Sequence, residues 1–441
     1  MLLQISANRR YLVQTDGQPF FYLGDTAWEL FHRCNRQEAE LYLTNRAAKG
    51  FNVIQAVALA ELDGLTVPNP YGELPLVDKD PARPNEAYFE HVDWVVERAN
   101  ALGLWLGFLP TWGRWVVNAN WAPPKPDEPV FTPENARAYG RFLGERYRQA
   151  QLIWVLGGDR HAAGVEPIWR AMAQGLAAGD GGVHLMTYHP YGPEASSTWL
   201  HDEPWLDFNM IQSGHSRRAM PNHRMIAVDY ARRPIKPTFD GEPCYEELAV
   251  GMAANNGYFG AHDVRQAAYW SMLSGACGHT YGCNAIWQMY KPGRQPVLGA
   301  FRSWMESLDL EGAFDMRHAK ALALSRPYLT RWPAPELVLR GSNGLTDRVA
   351  AARDGSRGAC DATYLMAYTP WLNRSLALDT SCLAGGQLRA WWFDPREGVA
   401  HDLGVFPNVG SYAPPCPASG PDWALVVDDA AAGYGSPGGC G

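Results

Sequence analysis

The sequence predicts an α/β protein that consists of a (β/α)8 TIM barrel followed by a C-terminal β-sandwich. Eight short apolar segments with the character of strands recur between residues 20 and 282. Most of them are followed by a segment whose apolar residues recur at helical spacing. Polar and aromatic residues cluster directly after these strands, which is where parallel barrels place their functional groups.

The first half of the barrel is predicted from strands and from the cap signals of the helices between them. Asn35 is followed three residues later by Glu38, which is a capping pattern, and Gly50 ends that helix. Thr132 stands before Pro133, a pair that favours a helix start. With these helices assigned, the first four strands are predicted at residues 20–23, 51–57, 104–109 and 152–156.

The second half repeats the pattern, and the remaining strands are predicted at residues 183–188, 207–212, the run before Glu242, and 279–282. From about Arg326 onward, prolines break the helical pattern, and strand-like runs separated by turn residues indicate an all-β module. The intervening segment is short and apolar, so we expect the two domains to pack together. The predicted divisions are a barrel over 1–322, a β-sandwich over 323–428 and a disordered tail over 429–441.

Composition narrows the range of partners. The formal net charge of −8 and the absence of a basic stripe argue against nucleic acid. No apolar run is long enough to span a bilayer, so no membrane partner is expected. The N-terminus lacks the basic start and apolar core of a signal peptide, which predicts a cytoplasmic protein, or a periplasmic or secreted one whose leader was removed.

The eight cysteines are scattered and form no CxxC pair, so the sequence predicts no zinc site, and we expect no bound cofactor. Pairing of Cys360 with Cys382 is left open, since it needs an extracellular setting and their spacing does not decide it. A doubly wound open sheet is the alternative fold. It is disfavoured because no Gly-x-Gly-x-x-Gly motif follows the first strand and no phosphate loop is present.

Two carboxylates at predicted strand ends are the candidate catalytic residues. Asp159 follows an apolar strand and two glycines, and Glu242 lies between Gly241 and Pro243 after another apolar run. Glycoside hydrolysis needs such a pair, one group to protonate the leaving oxygen and one to attack or to activate water. A helix cap or a turn residue is the ordinary alternative for either position.

Other polar and aromatic residues at the predicted strand ends are candidates for substrate binding. The chain has 18 Trp, many of them beside Gly, Pro and Asn in predicted loops, where their rings can stack on sugar faces. Core packing, helix capping and satisfied polar groups of the barrel interior are the ordinary alternatives. The candidates are Asp25, Trp28, Gln55, Trp112, Arg160, Tyr188, His189, Gln212, His215 and Trp287. The loops 61–85 and 112–126, the second of which also holds Trp115 and Trp121, are expected to wall a cleft.

Several motifs in order resemble the apiosidase-like glycoside hydrolases, barrel enzymes with a C-terminal β-domain of the collagen-binding type. The motifs are Tyr22-Leu-Gly-Asp-Thr-Ala-Trp28, Gly50-Phe-Asn-Val-Ile-Gln55, Trp154-Val-Leu-Gly-Gly-Asp159, Asp240-Gly-Glu-Pro243 and Trp392-Phe-Asp-Pro-Arg396. The resemblance implies that Asp159 is the general acid/base and Glu242 the nucleophile of a retaining enzyme. It also implies an oligo- or polysaccharide substrate of the pectic plant cell wall, with release of apiose as the activity known in the family.

Two other classes of function compete with this interpretation. A non-catalytic carbohydrate-binding protein is expected to lack one of the two carboxylates, and both are present. The alternative of a barrel metallohydrolase rests on three histidines that follow predicted strands, namely His189, His215 and His279. The first strand, however, ends in Gly-Asp-Thr and lacks the His-x-His pair of such metal sites.

Overall fold

The computed structural model describes residues 2–118, 128–372, 375–417 and 419–439. A small antiparallel sheet of strands β1 to β3 comes first, at Leu3–Ile5, Leu12–Gln14 and Pro19–Phe20. Strands β4 to β12 form the next sheet, at Tyr22–Thr26, Val53–Leu59, Trp105–Thr111, Leu152–Gly157, Met186–His189, Glu194–Ala195, Asn209–Gln212, Thr238–Asp240 and Gly278–Tyr281. Trp121, named above as a loop aromatic, lies outside the described residues.

Within the described residues, eight strands of the second sheet are parallel and form a barrel, while β9 is a short antiparallel addition to β10. The order β8-β7-β6-β5-β4-β12-β11-β10 follows the chain around the barrel. The seam between β8 and β10 is bridged by the Asp207 N–H, which donates to the Met186 carbonyl at 2.9 Å, and by the Thr187 hydroxyl, which donates to the Phe208 carbonyl at 2.8 Å. The predicted (β/α)8 barrel is therefore confirmed.

Helices surround the barrel in the described part of the chain. They are α1 to α10, at Leu30–Arg33, Arg36–Ala48, Glu86–Ala101, Pro133–Tyr147, Glu166–Asp180, Ser197–Leu200, Asn222–Ala231, Ala261–Leu273, Asn284–Trp287 and Glu311–Leu324. The predicted cap signals are confirmed: the Asn35 side chain accepts from the Glu38 N–H at the start of α2, and Thr132 caps α4 with Pro133 in its first turn. These caps satisfy amide groups that a helix start leaves unpaired. Short 3-10 turns lie at Val77–Lys79, Gly113–Trp115, Val250–Met252, Ala254–Asn256, Pro335–Leu337 and Ala430–Ala432.

The C-terminal domain is built from antiparallel sheets. Its strands β13 to β21 lie at Trp332–Pro333, Val338–Arg340, Ala350–Arg353, Tyr364–Thr369, Ala377–Asp379, Gln387–Asp394, Val399–Pro407, Ser411–Tyr412 and Trp423–Asp429. One sheet has the order β13-β15-β16-β21-β18-β19, and a smaller one has the order β14-β17-β20. Leu378, Leu388 and Leu425 are buried in its own core cluster. The predicted β-sandwich is confirmed in this form, and Cys360 and Cys382 are both free thiols.

Buried ion pairs join the β-domain to the barrel. Arg265 of α8 donates to both carboxylate oxygens of Asp422 at 3.0 Å and to Asp315 of α10 at 2.7 Å. Arg326 forms a second two-pronged pair with Asp428, at 2.7 and 2.8 Å. Burying a charge without its partner is unfavourable, so separating these pairs would cost free energy. The contacts therefore hold the two domains in a fixed relative position.

The segment predicted as a disordered tail has structure over its described part. Asp429 still belongs to β21, and a 3-10 turn follows it. The Tyr434 hydroxyl lies 2.7 Å from that of Thr363, and Arg326 donates to the Gly435 carbonyl at 3.0 Å. The Gly- and Ala-rich composition favoured disorder, but these contacts attach the described part of this segment to the folded chain.

Candidate active site

A cavity of about 670 Å³ opens at the carboxyl ends of the barrel strands. Seven of the eight strands end at or lead directly into a residue that lines it: Trp28, Glu61, Trp112, Asp159, Tyr191, Gln212 and Glu242. After β12, the lining residue is Trp287, at the end of the short helix α9. A cleft at the carboxyl face is the usual place for the site of a barrel enzyme. The two predicted catalytic carboxylates thus lie in one pocket.

A sharp turn after β7 brings Asp159 into the pocket. Gly157, Gly158 and Asp159 all have positive φ, at 93°, 119° and 56°. A Cβ atom on Gly158 would lie 2.7 Å from the Trp112 ring, so this position needs glycine for space as well as for conformation. A non-glycine residue with positive φ is uncommon, and such strain is often found where a structure fixes a functional side chain.

Two histidines hold the Glu242 carboxylate. His189 Nε2 lies 2.7 Å from Oε2, and His215 Nε2 lies 2.9 Å from Oε1. His189 comes from the end of β8 and His215 from the loop after β10, so each oxygen of the carboxylate contacts a histidine from a different strand end. Glu242 itself is only 6% exposed.

His189 also links the two carboxylates. The Asp159 backbone N–H donates to His189 Nδ1 at 3.3 Å. Since a backbone N–H is always a donor, Nδ1 accepts, and Nε2 carries the hydrogen that it donates to Glu242. The His189 ring packs against Trp28 and Trp112, each with its ring centre at 5.3 Å, which fixes its orientation.

The two carboxyl groups have opposite pKa shifts. Burial raises the pKa of Asp159, and the negative charge of Glu242 raises it further. Burial also raises the pKa of Glu242, but the hydrogen bonds from His189 and His215 outweigh it and lower the value to about 2. At neutral pH the structure therefore favours an ionised Glu242, and it holds the proton of Asp159 more tightly than an ordinary aspartate does.

The remaining pocket residues give the site aromatic walls and polar contacts. Gln212 Nε2 donates to Asp159 Oδ1 at 3.2 Å, and Arg160 Nη1 donates to the Asp159 carbonyl at 2.7 Å. Trp28 Nε1 donates to the Tyr245 hydroxyl at 3.2 Å, and Trp287 lines the same cavity. Among the predicted substrate-binding residues, the pocket is lined by Trp28, Trp112, Arg160, Gln212, His215 and Trp287, with His189 directly behind Glu242.

Three predicted substrate-binding residues do not line the pocket. Asp25 faces the helix layer, where its carboxylate accepts from Tyr42 at 2.5 Å and from Arg46 at 2.6 Å. Gln55 lies deeper in the barrel and donates to the Gly241 carbonyl at 3.0 Å. Tyr188 points outward from β8 and packs against Trp169. These three side chains lie away from the cavity because successive strand side chains alternate between faces and Gln55 lies below the site.

The lining also contains residues that were not among the predicted site residues, including Glu61, Tyr191 and Tyr245. Glu61 carried the same signal as Asp159 and Glu242, because it follows the apolar run that ends β5. The predicted strand stopped at residue 57, two residues before the observed end at Leu59, so Glu61 was not recognised as a residue that directly follows a strand. Tyr191 and Tyr245 come from loops whose course the sequence does not determine. Trp115, the other described tryptophan of the predicted loop, is a buried residue whose indole donates to the Ala60 carbonyl at 3.1 Å.

The three histidines that suggested a metallohydrolase make other contacts in the structure. His189 and His215 contact Glu242, and His279 is buried in β12 with its pKa lowered to about 3 by burial. No group of three or more His, Cys, Asp or Glu among the described residues is placed to hold a metal ion. In the part of the chain that the structure describes, no helix combines the length and apolarity needed to cross a membrane.

Comparison with known families matches residues 6–330 to the family described as "Apiosidase-like, catalytic domain". The chain belongs to this apiosidase-like family. Residues 332–428 match a second family, described as "Putative collagen-binding domain of a collagenase". Comparison with curated proteins gave no match.

Solved structures of glycoside hydrolases resemble the whole chain of this apiosidase-like protein. One, described as "Glycoside hydrolase", is 33% identical with a TM-score of 0.87, and the match covers 98% of this chain and 97% of that one. Another, a glycoside hydrolase of family 5 from Bacteroides vulgatus, is 32% identical with a TM-score of 0.87, over 98% of this chain and 94% of that one. The protein is a glycoside hydrolase with a family 5-like barrel.

Proposed function

We propose that this protein is a retaining glycoside hydrolase that acts on pectic glycans of the plant cell wall and releases apiose. Glu242 is the nucleophile and Asp159 is the general acid/base. The sugar rings of the substrate lie against Trp28, Trp112 and Trp287, which contribute the aromatic surface of the pocket. Membership of the apiosidase-like family supports this substrate class, because the activity that the resemblance implies is removal of apiose from pectin.

The observation that carries the proposal is the division of charge between the two carboxyl groups. Glycoside hydrolysis by a carboxylate pair needs one carboxylate that is ionised before the substrate arrives and one carboxylic acid that can give up a proton. Glu242, with its pKa lowered to about 2, meets the first requirement. Asp159, with its raised pKa, meets the second.

The reaction has two steps. In the first, a Glu242 oxygen attacks the anomeric carbon while Asp159 transfers its proton to the glycosidic oxygen, so that the C–O bond breaks and the leaving alcohol departs. In the second, the Asp159 carboxylate takes a proton from water, whose oxygen attacks the anomeric carbon, so that the bond between this carbon and the Glu242 oxygen breaks and the carboxylate is released. Asp159 ends protonated again, which restores the starting state.

The test uses plant-wall oligosaccharides, including apiose-bearing pectic fragments, with product analysis. We expect release of apiose. When the reaction is followed by NMR, the product that forms first should have the same anomeric configuration as the substrate. Glu242→Gln is expected to abolish turnover without loss of folding. Asp159→Asn is expected to slow substrates with poor leaving groups far more than activated aryl glycosides, which need little protonation.

Geometry supplies a further check. For a retaining pair the carboxyl groups of Asp159 and Glu242 should lie about 5–5.5 Å apart. An inverted first product, or a separation of about 8–9 Å in a crystal structure, would reassign Glu242 as a general base. No turnover of any glycoside in the panel would favour the carbohydrate-binding alternative.

A further inference from the structure

A cavity of about 130 Å³ lies where the barrel meets the β-domain. Its barrel side is formed by residues of α7 and of the end of α8, among them His223, Arg224 and Ser274. Its other side is formed by Arg348 and by residues of β13 and β15. Among the described residues, none lines both this cavity and the catalytic pocket. A ligand in this cavity would therefore contact both domains without entering the catalytic site.

A buried histidine in this lining has no hydrogen-bond partner. His223 is 4% exposed, and within the described residues neither of its ring nitrogens is paired. The imidazole packs edge-on against Trp270 of α8, with the ring centres 4.8 Å apart. Trp270 Nε1 also donates to the Arg348 carbonyl at 2.9 Å, so one indole contacts both the histidine and the arginine. Because buried polar groups are normally satisfied, His223 indicates a partner that the protein itself does not supply.

The charge of the lining indicates the kind of partner. Two guanidinium groups, those of Arg224 and Arg348, line the cavity, and none of its described lining residues is an Asp or a Glu. The Arg348 side chain donates to the Asn343 amide oxygen at 2.6 Å, whereas that of Arg224 forms no hydrogen bond or ion pair with a described residue. Burial, and then the charges of Arg348 and Arg224, lower the pKa of His223 to about 4. The imidazole is therefore neutral at neutral pH and offers one N–H donor.

Other arginines between the two domains have acidic partners. Arg265 and Arg326 each pair with a buried aspartate of the β-domain. At this cavity the positive charges act on one another instead: burial and the charge of Arg224 lower the pKa of Arg348. A negative ion between the two guanidinium groups would remove this repulsion, as a carboxylate does at the other two arginines.

We propose that this cavity binds a small oxyanion, phosphate or sulfate, that links α7 of the barrel to the β-domain. Guanidinium groups match the oxygens of such ions and hold them through charged hydrogen bonds. The N–H of His223 adds a neutral donor. A cavity of this volume has room for a few water molecules, which suits an ion of one central atom and four oxygens and excludes a whole sugar ring. The site is separate from the proposed glycosidase function and does not depend on it.

The test is titration calorimetry of the full chain with sodium phosphate and, separately, with sodium sulfate, in Tris chloride at constant ionic strength. The variants are Arg224→Met and His223→Leu. The control Arg141→Met removes the same charge as Arg224→Met, but from an exposed pair with Glu145 on α4. We expect the wild type and the control to bind one ion per chain. Arg224→Met and His223→Leu should weaken binding about tenfold or more, because each variant loses a donor to the ion.

Thermal unfolding provides a second measurement. A ligand that binds only the folded chain stabilises it, so phosphate should raise the Tm of the wild type above its value in sodium chloride of equal ionic strength. This increase should be lost in Arg224→Met. The exposed Arg224 side chain contributes no described hydrogen bond or ion pair, so its replacement should leave the Tm in sodium chloride unchanged. Loss of the ion is thereby distinguished from loss of structure.

Three results would overturn the inference. Absence of saturable binding of either ion by the wild type would leave water as the occupant of the cavity. Wild-type affinity in both Arg224→Met and His223→Leu would show that the ion binds elsewhere. Equal weakening in Arg141→Met would reduce the effect to one of net charge. If circular dichroism shows that His223→Leu does not fold, the comparison of Arg224→Met with Arg141→Met decides.

Discussion

Replacing His215 by Ala should make the activity sensitive to acid. The pKa of Glu242 falls from the usual 4.5 to about 2, which at about 1.4 kcal/mol per pKa unit favours the carboxylate by about 3 kcal/mol. Two histidines share this effect, and His215 supplies the hydrogen bond to Oε1. Loss of that bond should raise the pKa of Glu242 by at least about one unit, since the opposing burial effect remains.

The assay is the pH profile of kcat/KM on the best aryl glycoside between about pH 3 and 8. Because the nucleophile must be ionised, the wild type should keep its activity down to about pH 3, whereas His215→Ala should lose it roughly tenfold per pH unit below about pH 3.5. His215→Gln, whose amide can still donate to Glu242, is the matched control and should resemble the wild type. Circular dichroism at each pH separates titration from unfolding.

The same shift has a consequence for stability. The pKa of Glu242 is lower in the folded chain than in the unfolded one, so its contribution to stability is present above about pH 4.5 and is lost as the pH falls towards 2. His215→Ala removes part of that contribution at neutral pH. An unchanged acid limb in His215→Ala, or an equal shift in His215→Gln, would refute the assignment of His215 as the group that keeps Glu242 ionised.

The remaining predictions concern buried charges outside the pocket. Asp25→Asn removes the charge partner of buried Arg46 and should cost about 3–5 kcal/mol, seen as a fall of roughly 5 °C in Tm with KM unchanged. The control Glu40→Gln breaks an exposed pair with Arg98 and should shift Tm by at most about 2 °C. An increased KM in Asp25→Asn would instead show that Asp25 contacts the sugar. Arg326→Met leaves Asp428 buried without its guanidinium and should lower the calorimetric transition of the β-domain, while Arg326→Met with Asp428→Asn should recover part of the loss.

The barrel and the positions of its strand ends were predictable because hydrophobic spacing and helix caps are local properties. The direction of a given side chain was less predictable. In β4, Tyr22 points into the barrel and bonds Gln55, so Asp25, three residues further on, points to the helices. An error of one residue in the register of a short strand exchanges these two faces, and the sequence contains no signal that fixes it.

Local sequence patterns did not predict the contacts between segments that are distant in the sequence. Arg46 reaches Asp25 from the helix layer, and the buried pair of Arg265 with Asp422 joins residues 157 positions apart. Which acid meets which base depends on how helices and strands pack. The sequence shows that charged residues are present, but the folded chain decides which of them are buried and paired.

The difference in pKa between the two proposed catalytic carboxyl groups has the same origin. Both Asp159 and Glu242 follow a strand end, and burial acts on both in the same direction. What separates them is the donors: Glu242 receives two histidine N–H groups, from residues 53 and 27 positions away, whereas the Asp159 carboxyl receives one amide N–H from Gln212. His189 contributes twice, because accepting the Asp159 backbone N–H at Nδ1 leaves Nε2–H to donate to Glu242. The turn that places the proposed acid, Asp159, therefore also sets the histidine tautomer that keeps Glu242, the proposed nucleophile, ionised.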